Sequence, residues 1–135
     1  MTQKVPSGPS EVPSFLTKSV PGFRASAEFN RLDDASRRVP GLILGQLTIY
    51  LRRLQTELIH RQIGADVARA ELQDIYSALE ALARSPSNDV QNLLVVDVLE
   101  HLHGSSEIRE AILSSLGPST RDLYAKWVEP GPSLP

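Results

Sequence analysis

Apolar residues recur along the middle of the chain at Leu42, Ile43, Leu44, Leu47, Tyr50, Leu51, Leu54 and Leu58, while Arg52, Arg53, Gln55 and Glu57 fall off that stripe. Spacings of three and four gather such positions on one side of a helix. Pro40 suits its first turn, and Gly64 suits its end, just past the basic residues His60 and Arg61 that complement the negative helix terminus. A second helix is predicted from about Asp66, with Leu72, Ile75, Tyr76, Leu79 and Leu82 inward and Arg69, Asp74, Glu80 and Arg84 outward. Ser85 to Asp89 reads as a turn rich in N-cap residues.

From Val90 to His103 the pattern is denser. Leu93, Leu94, Val95 and Val96 in a row suit a buried strand, but apolar positions continue at Val98, Leu99 and Leu102. That length favours a helix, buried around much of its circumference, central in the fold and ended by Gly104. Ser105 or Ser106 then caps a short helix carrying Ile108, Ala111, Ile112, Leu113 and Leu116. Gly117-Pro118 opens the last one, with Leu123, Tyr124 and Trp127 expected inward. Before Pro40, Phe15, Leu16, Val20 and Phe23 suggest a helical turn or two, and Ala25 to Ser36 leaves the choice between helix and loop open. No strand alternation or hairpin signal occurs, so the expected fold is all-α, a single compact bundle of five to six helices.

Seven of the ten prolines lie in the first 22 or last six residues of the 135. Residues 1–10 and 129–135 therefore read as disordered Pro-rich ends flanking a helical domain over 11–128. With no cysteine, disulfides, thiolate metal sites and cysteine nucleophiles drop out. The apolar run Val39 to Leu51 is too short and too interrupted to span a bilayer, and the first residues do not resemble a signal peptide. The expectation is a cytoplasmic protein with no membrane partner.

The residues offer little chemistry. Glu57 and His60, Asp97 and His101, and Glu100 and His103 each fall three or four apart, the spacing that lets a carboxylate and an imidazole share a helix face. A di-metal bundle would need two such pairs brought together from different helices. Histidines near helix C-termini, where they complement the dipole, explain the same residues, so neither metal nor cofactor is expected. The serines sit in tails and caps, and no Gly-x-Ser-x-Gly elbow or phosphate-binding glycine loop is present. The corner at Leu116–Ser119 superficially resembles a helix-turn-helix, yet the following helix sets only Arg121 and Lys126 against Asp122 and Glu129. The expectation is neither an enzyme nor a nucleic-acid binder.

Charge changes this picture. The net charge of -2 hides a division: residues 1–64 carry nine basic and five acidic side chains, residues 65–135 five basic and eleven acidic ones. A charged helix face can serve solubility alone. It can also steer a basic partner into place.

The stretch Asp89-Val90-Gln91-Asn92-Leu93-Leu94-Val95-Val96-Asp97-Val98-Leu99-Glu100-His101-Leu102, followed by Leu116-Gly117-Pro118-Ser119-Thr120-Arg121-Asp122-Leu123-Tyr124, resembles a group of small all-α bacterial proteins of unassigned biochemistry. Leu44 to Leu51 and Ile75 to Glu80 fit the same pattern, and the likeness runs over residues 40–127, fading back to Phe15. Some members are encoded near polymorphic toxins and are thought to act as cognate immunity proteins. The resemblance implies a non-enzymatic inhibitor of one toxin domain, for which a basic nuclease would be a natural target. Glu71, Asp74, Asp97, Glu100, Glu107 and Glu110 are then the candidate docking residues, each able to form charge-assisted hydrogen bonds to Arg or Lys. The alternatives are a helical scaffold acting as a homodimer, and a metal-dependent bundle using Glu57, His60, Asp97 and His101.

Overall fold

The stripe that starts at Ile43 forms the helix on which the others are built. In a computed structural model describing residues 4–60, 65–102 and 105–129, that helix, α3, runs Pro40–Ile59 and buries Ile43, Leu44, Leu47, Tyr50, Leu51 and Leu54. Around it lie α1 (Val12–Ser19), α2 (Ala27–Asn30), α4 (Ala65–Ala83), α5 (Asn88–Asp97), α6 (Ser106–Ser115) and α7 (Pro118–Trp127). These seven α-helices and four short 3-10 turns account for all the regular structure among the described residues, and no strand occurs there. The all-α expectation holds, with more and shorter helices than the five or six expected.

α3, and not α5, is the central helix: it packs on α1, α2, α4, α5 and α6. The reason lies in their lengths. Twenty residues of α3 and nineteen of α4 give two long facing stripes, while α5 has only ten. The run Val90 to His103 is also not one helix. α5 stops at Asp97, Val98 leaves helical geometry at φ -122° and ψ -65°, and a separate 3-10 turn covers Leu99–His101. Val98 at this break, and Leu99 and Leu102 beyond it, all reach the core. His103 and Gly104, the expected helix end, lie outside the described residues.

The N-terminal third does more than its weak pattern implied. Val12, Phe15, Leu16, Val20 and Phe23 are all core residues. Phe23 meets Phe29 edge-on at 5.3 Å and Tyr50 of α3 at 5.7 Å, within the range where aromatic pairs attract. Of Ala25 to Ser36 only α2 is α-helical, capped by Ser26 Oγ accepting from Phe29 N–H, with the 3-10 turn Ser36–Arg38 following.

Residues 4–10 lie against the body. Pro6 is buried, its carbonyl accepts a 2.6 Å hydrogen bond from Ser85 Oγ, and Ser7 Oγ donates to Glu11. Proline's fixed φ lowers the entropy lost on ordering such a segment, which composition alone does not register. At the other end Glu129 accepts from Tyr124 Oη and pairs with Arg109. Residues 1–3 and 130–135 lie outside the described residues.

Candidate functional site

The six carboxylates picked out by the sequence lie on four elements and meet different neighbours. Glu71 and Asp74 share α4, but only Asp74 is exposed. Glu71 folds its carboxylate over Gly22, where any side chain on that glycine would collide with it. Its Oε2 is buried without a hydrogen-bond partner, and burial, reinforced by the charge of Asp74, raises its pKa. A desolvated, unpaired carboxylate facing its own protein is poorly placed to greet a partner.

Asp97 ends α5 half-buried, its carboxylate set against Gly41 in the first turn of α3; a β-carbon on that glycine would lie 3.2 Å from Oδ2. The Asp97 carbonyl also accepts from Thr48 Oγ1 at 3.2 Å, tying α5 to α3. Burial raises its pKa, His101 opposes that rise and Glu100 adds to it. Proximity of a carboxylate to the positive end of α3 gives Asp97 a structural explanation. Glu100, Glu107 and Glu110 are exposed. Glu107 borders an open groove of about 470 Å³ between α3 and α6, opposite Arg52, Arg53 and His60, so the charge there is mixed.

Neither histidine that the structure describes joins a cluster. His60 and His101 are exposed, Glu57 is engaged by Arg53 at 2.7 Å, and no group of three His, Asp or Glu able to hold a metal occurs among the described residues. His103 lies outside them. No described helix is long and apolar enough to cross a membrane.

Two features went unread in the sequence. Trp127 is 60% exposed instead of inward, and Val96 is 41% exposed. Together they edge a groove of about 680 Å³ between α5 and α7, floored by Val95 and Leu123 and rimmed by Asp89 and Glu100. Lys126 Nζ sits 5.1 Å from the indole centroid, a cation–π distance. The second feature is an exposed strip on α3, where Leu42 at 49% and Ile49 at 40% flank Gly45. Leu42 falls on the core stripe by its spacing, yet it lies at the edge of an apolar arc wider than the neighbours of α3 can cover.

The fold and these surfaces define an all-α protein whose accessible features are grooves and charged faces. Residues 14–129 match the family described as a domain of unknown function, DUF7674, and the chain belongs to that family. No curated protein and no solved structure matches it.

Proposed function

We propose that this chain is a non-enzymatic binding protein, an immunity protein that neutralises a cognate bacterial toxin in the cytoplasm by occupying a basic surface of it. The observation that carries this reading is the division of charge, with Asp74, Glu100, Glu107 and Glu110 exposed on the elements after residue 64. Such a face steers a basic partner in and penalises acidic ones. It also repels nucleic-acid phosphates and anionic lipid, which leaves protein as the fitting partner class, and a basic nuclease fits best. Glu71 and Asp97 belong to the packing of the fold and are withdrawn from the docking set.

The test is co-expression with the product of the adjacent gene, scored for growth rescue and co-purification. Rescue and a complex that weakens as salt rises support the reading. Reversal of Asp74, Glu100, Glu107 and Glu110 to lysine should slow association at least tenfold at low salt, as steering requires. Unchanged binding after those reversals overturns the acidic face, and no complex overturns the immunity role.

A second reading, a homodimeric scaffold, is favoured by one observation: Leu42 and Ile49 stand exposed either side of Gly45, over which no atom lies within 4 Å of a β-carbon position. Light scattering of the purified protein separates the two, since the scaffold requires a dimer and the inhibitor does not.

A further inference from the structure

We infer that the groove between α5 and α7 is the seat for a cationic amphipathic helix of the partner, with Trp127 as its anchor. The inference rests on the reading of the chain as an inhibitor of a basic protein, and it moves the centre of docking from the six acids of the sequence to one groove. Three observations on different residues converge there.

The first is apolar. Trp127 and Val96 are two of the six large hydrophobic side chains left exposed among the described residues, and they stand on facing elements over Val95 and Leu123. A large, rigid ring half out of water beside a groove is the kind of group that dominates binding energy when covered. The second is the indole face. Lys126, which also lines the groove, lies over it, so the exposed ring holds a cation in this setting, and the two rim acids outnumber that one base. The third is the rim. Asp89 stands in the first turn of α5 and Glu100 in the 3-10 turn after it, and both line the groove. From Asp89 to the end of α5 at Asp97 is about 12 Å of helical rise, and Glu100 lies beyond the break that follows. Acids at both ends with Val96 and Trp127 between them complement a helix of about three turns that carries aliphatic side chains in its middle and a cation towards each end.

Charge excludes the other occupants. Phosphates and anionic lipid headgroups would meet Asp89 and Glu100. A second copy of the chain packed groove to groove would bring those same acids against their equivalents. Residues 130–135, PGPSLP, contain no basic side chain to answer the rim.

Trp127 is the only tryptophan, so its emission reports on this groove and nothing else. The full chain is titrated with a synthetic helical peptide of leucine and lysine at three- and four-residue spacing, and with its leucine–glutamate counterpart. The lysine peptide should shift Trp127 emission to the blue, saturably and less so at high salt; the glutamate peptide should not. The pair Asp89→Lys and Glu100→Lys should weaken the response at least tenfold, whereas Asp66→Lys, an exposed residue of α4 outside the docking set, should leave it within twofold. Circular dichroism confirms that each variant is folded, and calorimetry on Trp127→Ala should show the peptide affinity itself reduced at least tenfold. Equal response to both peptides, an unmoved emission, or equal weakening by Asp66→Lys overturns the inference. A complex with the adjacent gene product that leaves Trp127 emission unchanged also overturns it while preserving the inhibitor reading. A groove that binds the lysine peptide in a chain that forms no such complex upholds the groove and overturns the inhibitor.

Discussion

Glu80 of α4 and Thr120 of α7, forty residues apart, are joined by two hydrogen bonds: Thr120 N–H and Oγ1–H donate to Glu80 Oε1 at 3.0 and 2.8 Å. Ser119 N–H donates to Oε2 at 2.9 Å. α7 begins at Gly117-Pro118 with no side-chain cap of its own, so a carboxylate from another helix satisfies its free N–H groups and faces the positive end of its dipole. Glu80→Gln removes the charge and leaves only one good acceptor. We expect it to lower the unfolding free energy by about 2 kcal/mol, measured by urea denaturation near neutral pH.

The same clamp sets an acid limit. Burial pushes the Glu80 carboxyl up, but the Thr120 and Ser119 donors together overcome this and hold it at about 2, against an ordinary 4.5. A carboxyl lowered on folding stabilises above its unfolded value and loses that contribution as pH falls to its folded one. The wild-type advantage over Glu80→Gln should therefore be full above pH 4.5 and fade towards about 2. Linkage caps this pH-dependent part at roughly 3 kcal/mol. Urea midpoints of both proteins across that range test it; parallel curves would show that the carboxyl is not held low.

Much of the fold was legible because long stripes leave little choice. Those of α3 and α4, the Ser105 cap and the Gly117-Pro118 corner all stand where periodicity and capping put them. Glu80 falls among the outward charges of its helix, because nothing local distinguishes a solvated glutamate from one that meets a helix start thirty-nine residues later. The spacing of Trp127 to Leu123 and Tyr124 predicts an inward side chain. α7 packs chiefly on α4, with a smaller contact to α5, so its last turn overhangs the groove with its largest side chain only partly covered. Of the acidic candidates, Glu71 and Asp97 look like Asp74 and Glu100 in sequence; only the approach of Gly22 and Gly41 tells them apart.

Glu28 of α2 is buried, and Arg53 of α3 grips it with Nε and Nη2 at 2.8 and 3.0 Å. The Arg53 hydrogen bonds lower the Glu28 pKa against the opposing effect of burial. Arg53→Met leaves that carboxylate buried and unpaired, which should cost about 3 kcal/mol. Replacing both, Glu28→Leu with Arg53→Met, should recover more than half of the loss, because no charge then remains buried. If the double variant is no better than the single one, Arg53 contributes its contact over the Tyr50 ring, 5.2 Å from the centroid, and not charge compensation.

Glu71 is the opposite case. Burial first, and Asp74 second, raise its pKa, and Oε2 has no partner to repay its desolvation. A carboxyl raised on folding favours the fold most below its unfolded value and loses that contribution as pH rises through the folded one. Glu71→Gln should therefore stabilise the protein by up to about 1 kcal/mol at neutral pH. The gain should vanish below the raised value, where the wild-type carboxyl is protonated. Denaturation at two pH values decides this, and a loss of stability at neutral pH would mean that the carboxylate is paired in solution.

Gly45 lies in the interior of α3 with open space where a β-carbon would go. Glycine in a helix interior gives up more chain entropy on folding than alanine, so Gly45→Ala should stabilise by about 0.5–1 kcal/mol. Thermal unfolding should move up by about 2 to 5 °C. The same variant probes the exposed Leu42 and Ile49 on either side. A second helix packed closely over Gly45 in a dimer would meet the new methyl group, so Gly45→Ala would shrink the dimer population and cancel the thermal gain. A higher melting temperature with unchanged light scattering leaves this face to solvent and removes the close contact on which a homodimeric scaffold would depend.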